Sequence, residues 1–298
     1  MKVIVNKQDS ITKGSTCAIG SFDGLHRGHQ RIIRYLRRLA HPGNKIGIIT
    51  FRPLPFLVLH HAAICCLTPK EEKERILQAL GVDFIYYFNF TSKFAQLSPN
   101  DFVQLIAKNI APAAIAVGKN FHFGRRRQGS VHLFKKFARN LFDVRILPIL
   151  KDEGIISSTR IRELLLLGHV KAANRLLGRE YAISGTVIKG KGKGKRLGFP
   201  TINIKVLKDK LLPLDGVYKV VVVVDNKEFL GALFCQHNVV EVHLIDFTGN
   251  LYKREVTIKL LERIRDIRKF SDDNSLKIAI AADIRKVQPR IKKSGVGP

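Results

Sequence analysis

Two histidines three residues apart, His26 and His29, follow an apolar run in Gly20-Ser21-Phe22-Asp23-Gly24-Leu25-His26-Arg27-Gly28-His29-Gln30. Gly20 and Gly24 permit a tight turn. A helix beginning at Arg27 then directs its unpaired backbone N–H groups at whatever lies over the preceding strand end. The spacing puts both imidazoles on the face of the first turn, and Gly28 leaves room for a flat ligand against the backbone. Two imidazoles, a helix N-terminus and Arg27 meeting at one point suit a phosphoryl transition state, where charge collects on oxygens and donors must already be in place. An isolated HxxH is usually a pair of exposed histidines; its setting in Gly-x-Phe-Asp-Gly-x-His-x-Gly-His reverses that balance.

Other segments carry related chemistry. Ile156-Ser157-Ser158-Thr159-Arg160-Ile161-Arg162 gathers three hydroxyls and two guanidiniums at a helix start, an anion site by dipole and side-chain charge together. Gly190, Gly192 and Gly194 alternate with Lys191, Lys193 and Lys195, which predicts a mobile loop offering N–H groups and ammonium charges to phosphates. It is not a Walker A loop, because Gly192 follows Gly190-Lys191 where Ser or Thr would hold magnesium. Thr201 and Asn203, just after Pro200, share one side of an extended segment. Strand alternation over Glu241–Phe247 puts Glu241 and His243 on one face and Val242 and Leu244 on the other. An acid and an imidazole there are ordinary surface in most proteins.

These residues need elements to hold them. Short apolar runs at 16–20, 45–51, 82–88, 113–117 and 144–147 read as buried strands, separated by helices over 27–39, 69–80, 99–109 and 130–139. That order predicts βαβ units and an α/β fold with a parallel sheet covered on both faces, its ligands beyond the carboxyl ends of the strands. A helical stretch over 159–177, with Gly168 as an internal break and Gly178 as C-cap, ends this part. Strand-like runs at 181–188, 217–224, 228–234, 239–247 and 255–261 without intervening helices predict an antiparallel sandwich or barrel, followed by one helix over 274–286. The expected domains are therefore 1–180, 181–288 and a basic tail, 289–298.

The chain has 298 residues, with 52 Lys and Arg against 24 Asp and Glu, a formal charge of +28. The excess is spread evenly, net +17 over residues 1–180 and +11 over 181–298. It therefore marks no dedicated arm or tail, and most of it reads as composition bias. With 45% hydrophobic residues the chain can still bury a core. Absence of Trp, of a zinc finger and of an aromatic RNA-binding motif argues against a dedicated nucleic-acid module. Four cysteines at odd spacing exclude a disulfide framework and point to the cytoplasm. His60, His61, Cys65 and Cys66 lie close together, but neighbours point apart and no second ligand pair exists, so a packed apolar segment is expected rather than zinc. No run suits a secretory signal or a membrane span. The partners expected are small molecules, and a homo-oligomer stays open.

Taken together the motifs resemble the bacterial bifunctional riboflavin kinase and FMN adenylyltransferase (FAD synthetase) family, over residues 15 to 287. The resemblance implies a Rossmann-like HxGH nucleotidyltransferase domain followed by a β-barrel riboflavin kinase domain, using ATP and Mg2+ with riboflavin, FMN and FAD as substrate and product. For the first domain it implies His26 and His29 as catalytic, and Gly20, Phe22, Asp23, Gly24, Gly28, Ser158, Thr159, Arg160 and Arg162 around ATP. Asn120 and Phe121, in Val117-Gly118-Lys119-Asn120-Phe121-His122-Phe123-Gly124, are implied near nucleotide or flavin, Asn120 standing where the family usually has Asp. In the second domain Leu197-Gly198-Phe199-Pro200-Thr201-Ile202-Asn203 resembles the kinase motif. It implies Thr201 and Asn203 at the metal, Gly190, Gly194, Lys195 and Pro200 around ATP phosphates, and Glu241 as the base for the riboflavin 5′-hydroxyl. Lys195 replaces the family's Arg, which keeps the charge and loses the bidentate fork. Arg52 and Leu54 are further departures. Gly231–Asn238 also runs into Glu241 without the family's longer connection. Two other readings stay open: an adenylyltransferase with a degenerate kinase half, and a basic nucleic-acid-binding protein on an enzyme scaffold.

Overall fold

The computed structural model describes residues 1–59, 65–190 and 192–288, without the Lys193 side chain. It forms two compact units, Met1–Arg160 and Ile161–Pro298. In the first, the elements are β1 (Lys2–Val5), β2 (Thr16–Ile19), α1 (Arg27–Leu39), β3 (Ile46–Arg52), α2 (Pro55–Leu59), α3 (Lys70–Ala79), β4 (Phe84–Asn89), α4 (Pro99–Asn109), β5 (Ala114–Gly118), α5 (Val131–Phe137) and β6 (Asp143–Leu147). The strands make a parallel sheet in the order β1-β4-β3-β2-β5-β6. Alternate residues of one strand feed separate cores. Phe84, Tyr86 and Phe88 of β4 pack with Phe102, Ile106 and Phe134 of α4 and α5. Ile85 and Tyr87 pack with Ile33, Leu36 and Leu77 of α1 and α3. Burial on both faces explains why the strands read as unbroken apolar runs.

Two strands are absent from the strand-like runs read from the sequence, β1 and, in the second unit, Thr201–Val206, where only the Thr201–Asn203 segment reads as extended. β1 pairs with β4 at the sheet edge, and of its residues only Ile4 is buried. A four-residue edge strand with one buried side chain leaves almost no periodic signal.

α6 (Ser158–Leu166) runs across the boundary between the units, and α7 (Val170–Leu177) follows, ending at Gly178 in the left-handed conformation, φ 71°. Then come β7 (Tyr181–Ile188), the single turn α8 (Lys193–Arg196), β8 (Thr201–Val206), β9 (Gly216–Val224), β10 (Lys227–Gln236), β11 (Val239–Leu244), β12 (Glu255–Arg265) and α9 (Asp273–Val287). The six strands close into an antiparallel barrel in the order β10-β11-β8-β7-β12-β9. Closure leaves no unpaired strand edge. Part of the segment expected to be a mobile Gly-Lys loop is instead the α8 turn. β11 stops at Leu244, short of Phe247, because the chain turns at Asp246, φ 52°. The Arg265 guanidinium makes a bidentate pair with the Asp283 carboxylate (2.9 and 2.7 Å), fixing α9 to β12.

Candidate active sites

In the first unit, β2 and β5 are neighbours while the chain leaves them in opposite directions across the sheet. Their carboxyl ends therefore bound the crevice at the topological switch point, the usual ligand position in such sheets. After β2 the chain makes a strained turn, with Phe22 (φ 47°), Gly24 (φ 82°) and Leu25 (φ 44°) all left-handed. Non-glycine residues in that region cost on the order of 1–3 kcal/mol each and persist only where the surroundings enforce them. The turn delivers His26 to the N-cap of α1 and His29 one turn in. Their rings stack with centroids 3.7 Å apart and planes 20° apart, and Phe22 lies against His29 at 5.0 Å.

Gly28 plays a different part from the one its sequence position suggests. A Cβ there would sit 3.1 Å from both Cε1 and Nδ1 of His26, so the space beside Gly28 is occupied by the His26 ring itself rather than kept open for a flat ligand. Gly28→Ala should leave the helix as stable or more stable, since Ala gains about 1 kcal/mol over Gly in a helix. Displacing His26 should nevertheless slow the chemistry of this crevice at least about tenfold. Thermal melting, and the rate of the adenylyl transfer to FMN that the family resemblance implies, measured on the same variant, check both halves.

Enforcement of the turn comes from below. The Asp23 carboxylate, 1% exposed, accepts from the backbone N–H groups of Leu67 (3.1 Å) and Thr68 (3.0 Å) and from the Thr68 hydroxyl (3.3 Å). Thr68 in turn accepts from the Gly24 N–H at 2.9 Å. Lys73 of α3, 2% exposed, donates to the Ser21 carbonyl at 2.8 Å. Burial pushes the Lys73 ammonium's pKa down, and the nearby carboxylate of Asp23 and then the groups of Cys66 and Glu74 oppose that. Sequence reasoning missed Thr68 and Lys73, which belong to no motif and lie over forty residues from the turn.

The start of α6 docks on the same turn. Ser157 Oγ accepts from the Arg160 N–H at 3.2 Å, and Ser158 Oγ donates to the Asp23 carbonyl at 2.8 Å. Arg160 Nη1 donates to the Asp152 carbonyl at 2.9 Å, while the Asp152 carboxylate pairs with Arg27. One aspartate thus orders both guanidiniums, and Thr159 beside them is exposed. Arg162 is half-buried and falls in the second unit. Beyond β5, Asn120 is exposed and Phe121 stacks on Phe123 at 5.4 Å with planes 9° apart.

In the barrel, register brings the second set together. Glu241 of β11 lies opposite Asn203 of β8, and His243 lies opposite Thr201. All four are half-buried, on the face away from the buried Val240, Val242 and Leu244. The Pro200 carbonyl accepts from His243 Nδ1 at 2.8 Å, and Phe199 meets the His243 ring edge-on at 5.8 Å. Glycines allow the preceding loop to approach. A Cβ on Gly190 would fall 2.0 Å from Asn203 Nδ2, and one on Gly194 would fall 2.5 Å from the Phe199 carbonyl and 3.1 Å from Thr201 Oγ1. An adjoining cavity of about 610 Å³ is lined by Lys189, Lys195, Pro200 and Thr201, and by Phe247 and Tyr252 across from them. None of Lys189, Phe247 and Tyr252 is among the site residues read from the sequence. The shortened connection before Glu241 is a two-residue turn, His237-Asn238, with φ 46° and 66°.

Lys191, the Lys193 side chain, His60, His61 and the tail 289–298 lie outside the described residues. Among the described residues no group of three His, Cys, Asp or Glu could hold a metal, and no helix is long and apolar enough to cross a membrane.

Comparison with known proteins finds a family match for each half of the chain. Residues 8–160 match the FAD synthetase family model and residues 177–290 the riboflavin kinase model. Proteins named bifunctional riboflavin kinase/FMN adenylyltransferase are similar over most of their length. The one from Listeria monocytogenes is 35% identical over 85% of each chain, and the one from Escherichia coli K12 is 33% identical over 94% of each. A crystal structure titled as a macrolide-efflux protein from Streptococcus pneumoniae superposes with a TM-score of 0.87 at 29% identity, covering 96% of this chain and 99% of the other. With both family models matched in order and such relatives matched nearly end to end, the chain belongs to the bifunctional riboflavin kinase/FMN adenylyltransferase family.

Proposed function

We propose that the barrel converts riboflavin to FMN and that the α/β unit converts FMN to FAD, with the assignments 1–180 and 181–288 for the two catalytic domains in the cytoplasm. In the first step the riboflavin 5′-hydroxyl oxygen attacks the γ-phosphorus of ATP, its proton passes to Glu241, and ADP leaves. Gly190, Gly194, Lys195 and Pro200 hold the phosphates. Thr201 and Asn203, neutral oxygen donors beneath a glycine-lined approach, would hold a magnesium ion. Bound there, the ion would neutralise charge on the transferring phosphoryl group.

In the second step an FMN phosphate oxygen attacks the α-phosphorus of ATP, the bond to the β-phosphate breaks, and pyrophosphate leaves. The attacking group is the substrate's own phosphate, so this chain needs only to bind, orient and stabilise charge. His26 and His29 serve the α-phosphate and the departing oxygen. Ser158, Thr159, Arg160 and Arg162 hold the remaining phosphates. Gly20, Phe22, Asp23 and Gly24 contribute through the shape of the turn, and Asn120 and Phe121 border the flavin or nucleotide across the crevice.

The observation that carries the kinase half is the cross-strand pairing of Glu241 with Asn203 and His243 with Thr201, which survives the tight His237-Asn238 turn. It favours the bifunctional reading over adenylylation alone. Incubation with riboflavin, ATP and magnesium, with chromatographic separation of the flavins, tests it. FMN followed by FAD is expected. FAD formed from added FMN but no FMN formed from riboflavin would leave only the adenylyltransferase.

A further inference from the structure

We infer that Lys73 is a positioning residue for FMN adenylylation: together with Asp23 it forms a buried charged support that holds the turn carrying His26 and His29 in its reactive shape. The inference rests on the adenylyltransferase reading above.

One of these side chains belongs to the turn itself and the other reaches it from α3. Lys73, in the first turn of α3, donates to the Ser21 carbonyl, one residue before the left-handed Phe22. Asp23 ties the other side of the turn to Leu67 and Thr68, and through the Thr68 hydroxyl to the Gly24 N–H. Its own carbonyl receives Ser158 from the start of α6. Phe22, Gly24 and Leu25 would each relax toward ordinary backbone conformations if these bonds were lost, and His26 begins α1 directly after Leu25. A misplacement of about 1 Å at a group facing a transferring phosphoryl is enough to cost on the order of a hundredfold in rate. Stability alone is a poor reason for such a pair, because two buried charges are often replaceable by apolar groups at no loss, whereas removing only one is strongly destabilising.

That asymmetry supplies the test. Lys73→Met and Asp23→Asn each remove one of two opposite buried charges and leave the other without its influence, and both variants should melt at lower temperature than the parent. The double variant carries neither charge and should recover most of the lost melting temperature. Its kcat for FAD formation from FMN should remain at least about thirtyfold below the parent, with KM for ATP changed by less than about threefold, since the lost interaction shapes the transition state more than the ground state. Riboflavin phosphorylation by the same double variant should match the parent. A double variant with parental kcat would overturn the inference and reduce the pair to a structural feature. So would one whose loss falls in KM with kcat intact. Should the double variant not fold, Thr68→Val provides the second arm: it removes the hydroxyl that links the Asp23 carboxylate to the Gly24 N–H while leaving both charges in place. Thr68→Val should lower kcat by about fivefold or more, and a parental kcat there would overturn the inference as well. Failure of the parent protein to make FAD from FMN would instead sink the underlying reading.

Discussion

His29→Ala should slow FAD formation from FMN by about a hundredfold to a thousandfold, the usual effect of deleting one preorganised donor to transition-state charge, worth roughly 3–4 kcal/mol. His29 sits on the first turn of α1, stacked on His26 and backed by Phe22, so its ring has little freedom to move when charge develops before it. Preorganisation of this kind is the source of the large effect, because no reorganisation is needed at the moment of transfer. Alanine is a good helix residue, so α1 should persist. Riboflavin phosphorylation in the same variant should stay within about twofold of the parent, because Glu241, Thr201 and Asn203 belong to the other unit. Steady-state rates of FAD formation from FMN and of FMN formation from riboflavin measure the two effects separately. FAD formation at the parental rate would remove His29 from the reaction.

The parts of this site that sequence reasoning finds are those encoded locally. Gly24, His26 and His29 lie within six residues, so spacing alone places them on one turn and one helix face. The strand before them and the helix after them fall where their apolar patterns put them, at Thr16–Ile19 and Arg27–Leu39. What holds the turn is encoded elsewhere. Thr68 and Lys73 meet it only because β3 and α3 bring the chain back beneath β2, and a lysine in the charged run Lys70-Glu71-Glu72-Lys73-Glu74 looks like a solvated helix face. Gly28 shows the converse limit: its lack of a side chain is legible, but which group uses the space is a matter of packing. In the barrel, Thr201 and Asn203 are identifiable as an extended pair, whereas their registration against Glu241 and His243 comes from pairing that spans some forty residues. The edge strand β1 was illegible because one buried side chain in four makes no pattern.

Charge is divided between these roles and the surface. Arg27 and Arg160 are ordered by Asp152, and Arg265 is bound to Asp283. Most of the +28 has no comparable partner to find, with 24 acidic residues available for 52 basic ones. Such an excess predicts association with polyanions that weakens steeply as salt is raised, with no dependence on sequence, and binding to a nucleic acid of random sequence measured against salt concentration checks it.

The second large effect is expected at Glu241. Glu241→Gln should lower FMN formation from riboflavin by about a hundredfold to ten-thousandfold, the range for loss of a general base. Glutamine keeps the length and shape of the side chain and donates where glutamate accepts, so the 5′-hydroxyl proton loses its destination while β11 keeps its ladder to β8 and β10. The fixed register matters for the size of the effect. Glu241 is held opposite Asn203, so on the proposed reading the base and the residue assigned to the metal stand on adjacent strands, within reach of one hydroxyl and phosphate. A flexible loop in place of this hairpin would let another carboxylate or water substitute. The His237-Asn238 turn is only two residues long, and with both in the left-handed conformation its twist matches that of the flanking strands. It therefore pins β11 as firmly as a longer connection could. FAD formation from added FMN should be unchanged in this variant, which separates loss of the base from loss of the fold. FMN formation at the parental rate would show that the proton leaves by another route and that the conspicuous acid on this strand is part of the protein's ordinary surface.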